Sequence, residues 1–498
     1  MITALHLRHK IRKKTVPEKL PPGPRGLPLV GSLPFLNPEL HRWFTELAGA
    51  YGPVAMLYLG TKPCVLISSS SAASEVLRDQ DAVFANHDKA APVVARMASY
   101  GGADMLWTAY GAHWRMVRKV TVREMMSPRS IEALGGLRRR EVRRMVADVH
   151  GRGGEEVEVR QVTFDAALNY MMSVVWGGGL EEGKGTGREF RQLTDAFTEL
   201  VGKPNVSDFF PAMAKHDVQG VERRMRELMA WLDRIFDPII SERMREIREG
   251  GGGGGGGGGG HRDFLQVMVE LKEKEDSEEP FTIINIKALI MDLFGGGTDT
   301  TSTTLEWAMA ELLNDDTLMK AAQEELDSVV GKDTTVEECH LPKLEYLQAV
   351  MKEVMRLHPA LPLLVPHSPS QTSEVSGYTI PKDTAVFINV WAIQRDPRNW
   401  ENPSEFRPER FLGGGARKSD KELSFLPFGA GRRGCVAKTL AERMLMHMLA
   451  SLVHSFEWEL PQGTSGVVLT DKYGLVLKMA KPLVAIPKPR LSSKTLYQ

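Results

Sequence analysis

One cysteine stands in a stretch suited to chemistry, Phe428-Gly-Ala-Gly431-Arg-Arg433-Gly-Cys435. It follows Leu423-Ser-Phe-Leu-Pro427 and runs into the apolar-periodic Val436-Ala-Lys-Thr-Leu-Ala-Glu-Arg-Met-Leu-Met. The pattern predicts a strand or loop, a glycine-rich turn, then a helix with Cys435 at its mouth. A helix N-terminus carries positive dipole charge, which stabilises a thiolate. Gly429 and Gly431 permit a tight fold and close approach to a flat ligand. Arg432 and Arg433 put cations beside the thiolate or a ligand carboxylate. A lone thiolate so placed suits an axial ligand to haem iron. The plainer alternative is a buried cysteine at a glycine-capped helix start.

Asp299 and Thr300 put an acid beside a hydroxyl, a pair that can relay protons. They follow Gly295-Gly-Gly297 inside an otherwise helical pattern, Ile283 to Leu313. Three glycines there are costly and need a packing or functional reason; the alternative is a break between two helices with Asp or Thr as cap. Trp114 and Arg118 lie four apart on one helix face, which also fits an ordinary packed tryptophan with a solvated arginine. Glu353 and Arg356 share a helix face and can pair, although such pairs are usually surface bridges worth little. A second arginine, Arg410, follows in Phe406-Arg-Pro408-Glu-Arg410-Phe411. His367 follows the apolar Pro362-Leu-Leu-Val-Pro366 and is either a packed side chain or a donor to a ligand.

The elements that must position these residues are mostly helical. Pro21 to Pro38 reads as an extended lead-in, His41 to Ala50 as a helix, and Val54–Gly60 with Pro63–Ser68 as a hairpin around Gly60-Thr-Lys. Ser69 to Asp79 reads as a capped helix, and Met97 to Leu106 as a small-residue loop. Val218 to Arg248 is a long amphipathic helix that stops at a glycine run, Gly250 to Gly260. Such a run cannot be helical in isolation, at about 1 kcal/mol per glycine, and is read as an expanded loop within one domain. Leu341 to Leu357 is a further helix. Ser376–Pro381 and Ala385–Trp391 read as strands, and Tyr473–Lys478 with Pro482–Pro487 as a late hairpin.

Composition limits the function classes. The 498 residues balance 63 Lys+Arg against 63 Asp+Glu, which argues against a general nucleic-acid binder. Hydrophobic residues make up 42%, enough for a large core. Cys64, Cys339 and Cys435 are far apart and odd in number, so neither a disulfide framework nor zinc spacing is read from them. Near the N-terminus, Arg8, Lys10, Arg12, Lys13 and Lys14 follow a short apolar start. A spanning helix needs roughly 20 apolar residues and a signal peptide a run of about 7–15, and neither is seen.

The cysteine stretch resembles the cytochrome P450 signature Phe-x-x-Gly-x-Arg-x-Cys-x-Gly, matching at Phe428, Gly431, Arg433 and Cys435. It departs at the last position, where Ala437 replaces glycine. The glycine helix resembles the family's oxygen-activating segment at Gly296, Gly297, Asp299, Thr300 and Thr301. Glu353, Arg356 and Arg410 map onto the family's Glu-x-x-Arg and Pro-Glu-Arg-Phe trio, a structural lock rather than catalytic groups. Trp114 and Arg118 resemble the Trp-x-x-x-Arg helix that meets a haem propionate, and His367 is a further candidate donor to it. The likeness runs from the proline hinge to about Pro487, and its style is that of plant microsomal members.

The resemblance implies a mainly α fold with a small β-rich region. It implies a basic tail over 1–20, a catalytic domain over 21–490 and a short tail over 491–498. It implies haem b held by Cys435, proton management by Asp299 and Thr300, and a substrate pocket touching Met105, Gly296, Leu364 and Leu475. The implied activity is a monooxygenase acting on a small apolar terpenoid or phenolic with O2. Electrons would come from an NADPH-dependent flavoprotein reductase, since Gly295–Gly297 opens no βαβ unit and the chain itself should not bind NADPH. The family location is the cytoplasmic face of the endoplasmic reticulum membrane; with the usual apolar anchor missing or truncated, contact with the membrane surface would be peripheral. Two alternatives stay open: a haem-thiolate isomerase or lyase working without reductase, and a non-enzymatic haem-binding paralogue.

Overall fold

The computed structural model describes residues 19–498 apart from 88–90, 179–185, 203, 250–262, 274–279, 415–422 and 465. The glycine run and the N-terminal basic cluster lie outside the described residues. Along the chain come α1 (Leu40–Tyr51), β1 (Val54–Leu59), β2 (Lys62–Ile67), α2 (Val93–Ala98), α3 (Ala112–Thr121), α4 (Gly135–Gly151), β3 (Val157–Glu158), α5 (Val159–Trp176), α6 (Thr186–Gly202), α7 (Val221–Arg248), α8 (Phe264–Lys272) and α9 (Ile283–Asn314). The second half adds α10 (Asp316–Val329), α11 (Glu345–Leu357), β4 (Ser373–Val375), β5 (Tyr378–Ile380), β6 (Ala385–Ile388), α12 (Lys438–Ser455), β7 (Phe456–Glu459), β8 (Asp471–Lys472), β9 (Lys478–Met479) and β10 (Val484–Pro489).

Helix α9 is the spine. Its start is fixed by a reciprocal cap: Asn285 N–H donates to Thr282 Oγ1, and Thr282 N–H donates to Asn285 Oδ1. It runs unbroken through Gly295–Gly297, so the sequence's alternative of two helices is not what forms. Packing supplies the reason for the glycines. A Cβ on Gly297 would lie 2.7 Å from Met171 Cε, so α5 approaches α9 closely there. A Cβ on Gly296 would meet nothing within 4 Å, because that face opens to a cavity. Helices α5, α11 and α12 pack around the spine, and Phe294, Leu305 and Trp307 are buried among them.

The sheets are small. β1 and β2 pair antiparallel with Leu59 opposite Lys62, turning through Gly60 at a left-handed φ of 62°. β6 adds parallel to β2, Cys64 opposite Ala385, which joins early and late chain. Three expectations are corrected. Ser376 and Gly377 form the turn between β4 and β5, both at positive φ, rather than strand. β6 ends at Ile388, because Asn389 Oδ1 accepts Ala392 N–H at 3.1 Å and starts a helical turn over Val390–Ile393. The late hairpin is β8–β9, whereas β10 leaves to pair with β3 and β7.

Candidate active site

The cysteine loop is shaped by its backbone. Cys435 N–H donates to Phe428 O at 2.9 Å and Gly429 N–H to Leu426 O at 3.1 Å. Gly429 and Gly431 take left-handed φ values of 64° and 69°. A Cβ on Gly431 would lie 2.0 Å from Leu77 O, so that position admits glycine alone. Ala437 sits at φ −97°, a conformation any residue adopts, which accounts for the departure from the signature at that position. Helix α12 begins at Lys438, a turn beyond the cysteine.

Cys435 faces a cavity of about 350 Å³. Surrounding protein desolvates its thiol and pushes its pKa up, while the Ala437 N–H and Arg118 pull the other way. The Ala437 N–H and the Arg118 guanidinium thus lower the cost of ionising the sulfur. Binding a metal there must release a proton. Arg432 is also not a partner of the sulfur, since its Nε pairs with Asp81 at 3.2 Å.

Above the thiol the cavity is walled by α9 at Gly296 and Thr300, by the loop carrying Met105, by Leu364 and by Leu475. The four expected pocket residues, Met105, Gly296, Leu364 and Leu475, thus meet in one place. Tyr473 does not join them; it stacks on His41 with ring centroids 5.5 Å apart.

A group of cations and rings lies on the same cavity. The Trp114 ring is flanked by the guanidinium of Arg433 at 4.8 Å and that of Arg118 at 5.3 Å. Its indole N–H is given to Met105 O at 3.0 Å. Arg433 donates to Ala85 O at 2.5 Å, to Met105 O at 2.9 Å and to Thr108 O. Arg118 donates to Gly434 O at 3.1 Å. His367 Nδ1 lies 2.9 Å from Phe84 O and therefore carries the proton. Burial, with Arg433 adding to it, pushes this ring down to about 4, so it is neutral at pH 7 and its Nε2 is an acceptor. Donation from Nε2 would require a carboxylate to arrive and raise it. His87, which sequence reasoning missed, packs edge-on against His367 at 4.8 Å and leaves its buried Nε2 without a partner. It sits in no recognisable motif, so only the fold could reveal it.

Asp299 and Thr300 point different ways. Thr300 lines the cavity and gives its hydroxyl proton to Gly296 O at 2.6 Å. Asp299 is fully buried off that wall, held by Lys478 Nζ at 2.8 Å and Arg160 Nη1 at 3.2 Å. Glu353, Arg356 and Arg410 do come together. Arg356 forms a two-pronged pair with Glu353 at 2.7 and 2.8 Å, both fully buried, and Arg410 Nε adds a third contact at 2.9 Å.

These residues fit haem. One soft sulfur faces the cavity, the helix face bared by Gly296 lines it too, and the guanidinium groups of Arg118 and Arg433 put positive charge on the same walls. Among the described residues no three His, Cys, Asp or Glu gather to hold a bare ion. A lone thiolate can hold iron when a macrocycle supplies the other ligands.

Comparison with known proteins agrees with that geometry. The family model for cytochrome P450 matches residues 21–485. The chain is 35% identical to 3,9-dihydroxypterocarpan 6A-monooxygenase of Glycine max, over 99% of this chain and 97% of that one. It is 36% identical to geraniol 8-hydroxylase of Swertia mussotii, over 95% and 94%. A solved zebra fish cytochrome P450 with progesterone superposes with a TM-score of 0.78 at 27% identity, covering 91% of this chain and 100% of that one. Mainly helical with small sheets, carrying haem through a cysteine thiolate and using O2 with a redox partner, the chain belongs to the cytochrome P450 family as a plant monooxygenase of secondary metabolism.

Proposed function

We propose that this chain hydroxylates a small apolar molecule of terpenoid or phenolic type, with electrons from an NADPH-dependent flavoprotein reductase. The observation that carries the reading is the cavity itself: Met105, Leu364 and Leu475 give it apolar walls, and Thr300 and Cys435 line the same space. The relatives named as hydroxylases of geraniol and of a dihydroxypterocarpan support the substrate type. Thiolate-bound haem supplies the activation of O2 when present. The chain's residues do the rest. Cys435 holds the iron, Arg118 and Arg433 hold the carboxylate edge, His367 joins them only when protonated, and the apolar walls orient substrate and exclude water.

Thr300 Oγ1 holds a proton on the cavity wall, given to Gly296 O. Asp299 is the charge behind it, and it reaches Thr300 only by leaving Lys478 and Arg160. Thr300→Ala should therefore lower product formed per NADPH consumed by about tenfold or more, with NADPH consumption persisting. Unchanged coupling would remove Thr300 from proton handling.

Arg432 and Lys438, their side chains 47% and 60% exposed beside the loop, support docking of an acidic reductase face on the cysteine side. No helix among the described residues is long and apolar enough to cross a membrane. Exposed Leu27, Leu29 and Phe35 lie near the β1–β2 turn, whose Thr61 bonds Phe209 O, and Met213 is exposed just beyond. That patch supports peripheral contact with the cytoplasmic face of the endoplasmic reticulum. The deciding experiment is turnover of geraniol-like and phenolic substrates with and without NADPH and reductase. Product that needs both supports this reading. Product without them would make the chain an isomerase or lyase, and haem binding without turnover of any substrate a non-enzymatic paralogue.

A further inference from the structure

Tyr473 stands aside from the reaction cavity, yet it opens the loop that reaches into it. β8 and β9 pair with Lys472 opposite Lys478, so 473–477 form the connection between them. In the middle of that loop Leu475 and Val476 line the cavity. Its two ends are held by different parts of the fold.

The far end belongs to the spine. Leu477 N–H donates to Ala360 O at 2.9 Å, and Leu477 O accepts the indole N–H of Trp307 on α9 at 3.1 Å. The near end belongs to α1, a helix that supplies no residue to the cavity wall. The fully buried ring of His41 stacks on Tyr473, with centroids 5.5 Å and planes 17° apart, and meets Trp391 edge-on at 5.3 Å. The His41 carbonyl accepts Thr45 Oγ1–H at 2.8 Å and Asn389 Nδ2–H at 3.2 Å, which fixes where that ring stands. Beside it, Asp471 Oδ2 of β8 lies 3.6 Å from His41 Nε2 and accepts from Arg42 Nη2 at 2.8 Å. Trp391 in turn carries the guanidinium groups of Arg395 at 4.1 Å and Arg42 at 5.2 Å.

The loop has little slack between these holds. Tyr473 and Leu475 are joined through Gly474 alone, a reach of at most about 7 Å. The backbone at Gly474 is itself packed against the end of α6. A Cβ on Gly202 would lie 3.4 Å from Gly474 Cα and 2.9 Å from Leu475 N. A shift of the Tyr473 ring is therefore carried to Leu475 rather than absorbed on the way.

We propose that the His41–Tyr473 stack, backed by Asp471 and Arg42, is a positioning device that sets how deeply Leu475 stands in the reaction cavity, so that α1 tunes which ligand shapes the site accepts. His41 and Tyr473 are positioning residues, since they act through Leu475 and line no part of the cavity themselves. The inference concerns the wall and does not depend on which substrate or electron donor is used.

The test uses haem-loaded protein and two iron ligands of one chemistry and different bulk, imidazole and 4-phenylimidazole, each titrated by the Soret shift at one pH. His41→Ala should weaken 4-phenylimidazole about fivefold and leave imidazole within about twofold. Tyr473→Leu, which keeps bulk on the hairpin side but removes the ring, should do likewise, and combining the two should add little to either alone. His41→Phe keeps a ring on Tyr473 and should hold the parent's ratio of affinities. Leu475→Ala should move that ratio in the same direction as His41→Ala. A purely structural clasp would lower the melting temperature of the His41→Ala and Tyr473→Leu proteins and leave the ratio unchanged, and that result overturns the proposal. So do effects of those two changes that simply add, a His41→Phe protein as altered as His41→Ala, or an unchanged ratio in Leu475→Ala, which would mean that the loop tip does not meet the ligand.

Discussion

Cys435→Ser should lose the strongly red-shifted Soret band of the ferrous carbon monoxide complex, and with it all NADPH-dependent product. The loop would survive the exchange. Serine is smaller, and the bond that places the residue, Cys435 N–H to Phe428 O at 2.9 Å, is made by backbone. What changes is the ligand. A hydroxyl ionises far less readily than a thiol and would donate much less electron density to a bound haem, which is the contribution the thiolate would make. Turnover should fall at least about a thousandfold, equivalent to ~4 kcal/mol of barrier. Neither remaining cysteine can substitute. Cys64 is buried in β2, where desolvation raises it to about 12, and Cys339 is on the surface. A variant that kept the shifted band would show that the sulfur of Cys435 is not the axial ligand.

The second large effect is on stability. Glu353→Gln should cost about 3–5 kcal/mol, because it leaves the buried guanidinium of Arg356 and that of Arg410 without their carboxylate. Glu353 also accepts Arg407 N–H at 2.9 Å, which fixes the segment leading to Phe411. From there the support reaches the cysteine loop by two routes. Arg356 donates to Gln394 O, and Gln394 Oε1 accepts Leu426 N–H at 2.7 Å. Phe411 packs on Phe425, with ring centroids 5.4 Å apart. Thermal melting should move down by roughly 3–5 °C, with haem lost at lower temperature than helical structure. A variant that melted and held haem like its parent would reduce the trio to a surface-like pair.

Both effects concern residues whose sequence context was plain. Glycines at fixed offsets around one cysteine, and Glu and Arg a turn apart ahead of a second arginine, constrain local backbone and face, and periodicity reports those well. The long helix with its glycines was legible for the same reason, although only packing against Met171 explains why it does not break. The rest depends on contacts through space. Nothing near Asp299 in sequence announces Arg160 or Lys478. β10 looked like the partner of the preceding strand because the two are adjacent in sequence; the open edges of β3 and β7 took it instead. His87 carries no pattern at all.

The seat of Gly431 against Leu77 O has a kinetic consequence. The cysteine loop closes on backbone made far earlier during synthesis, and β6 must likewise find β2 across the whole middle of the chain. Contacts between such distant segments form late, since loop-closure entropy must be met first. A nascent chain therefore has its central helices available long before it has a place for haem. Cofactor capture becomes the last event of maturation, and the fraction of protein carrying haem becomes a readout of how many chains have completed that final docking rather than of how tightly the finished site binds.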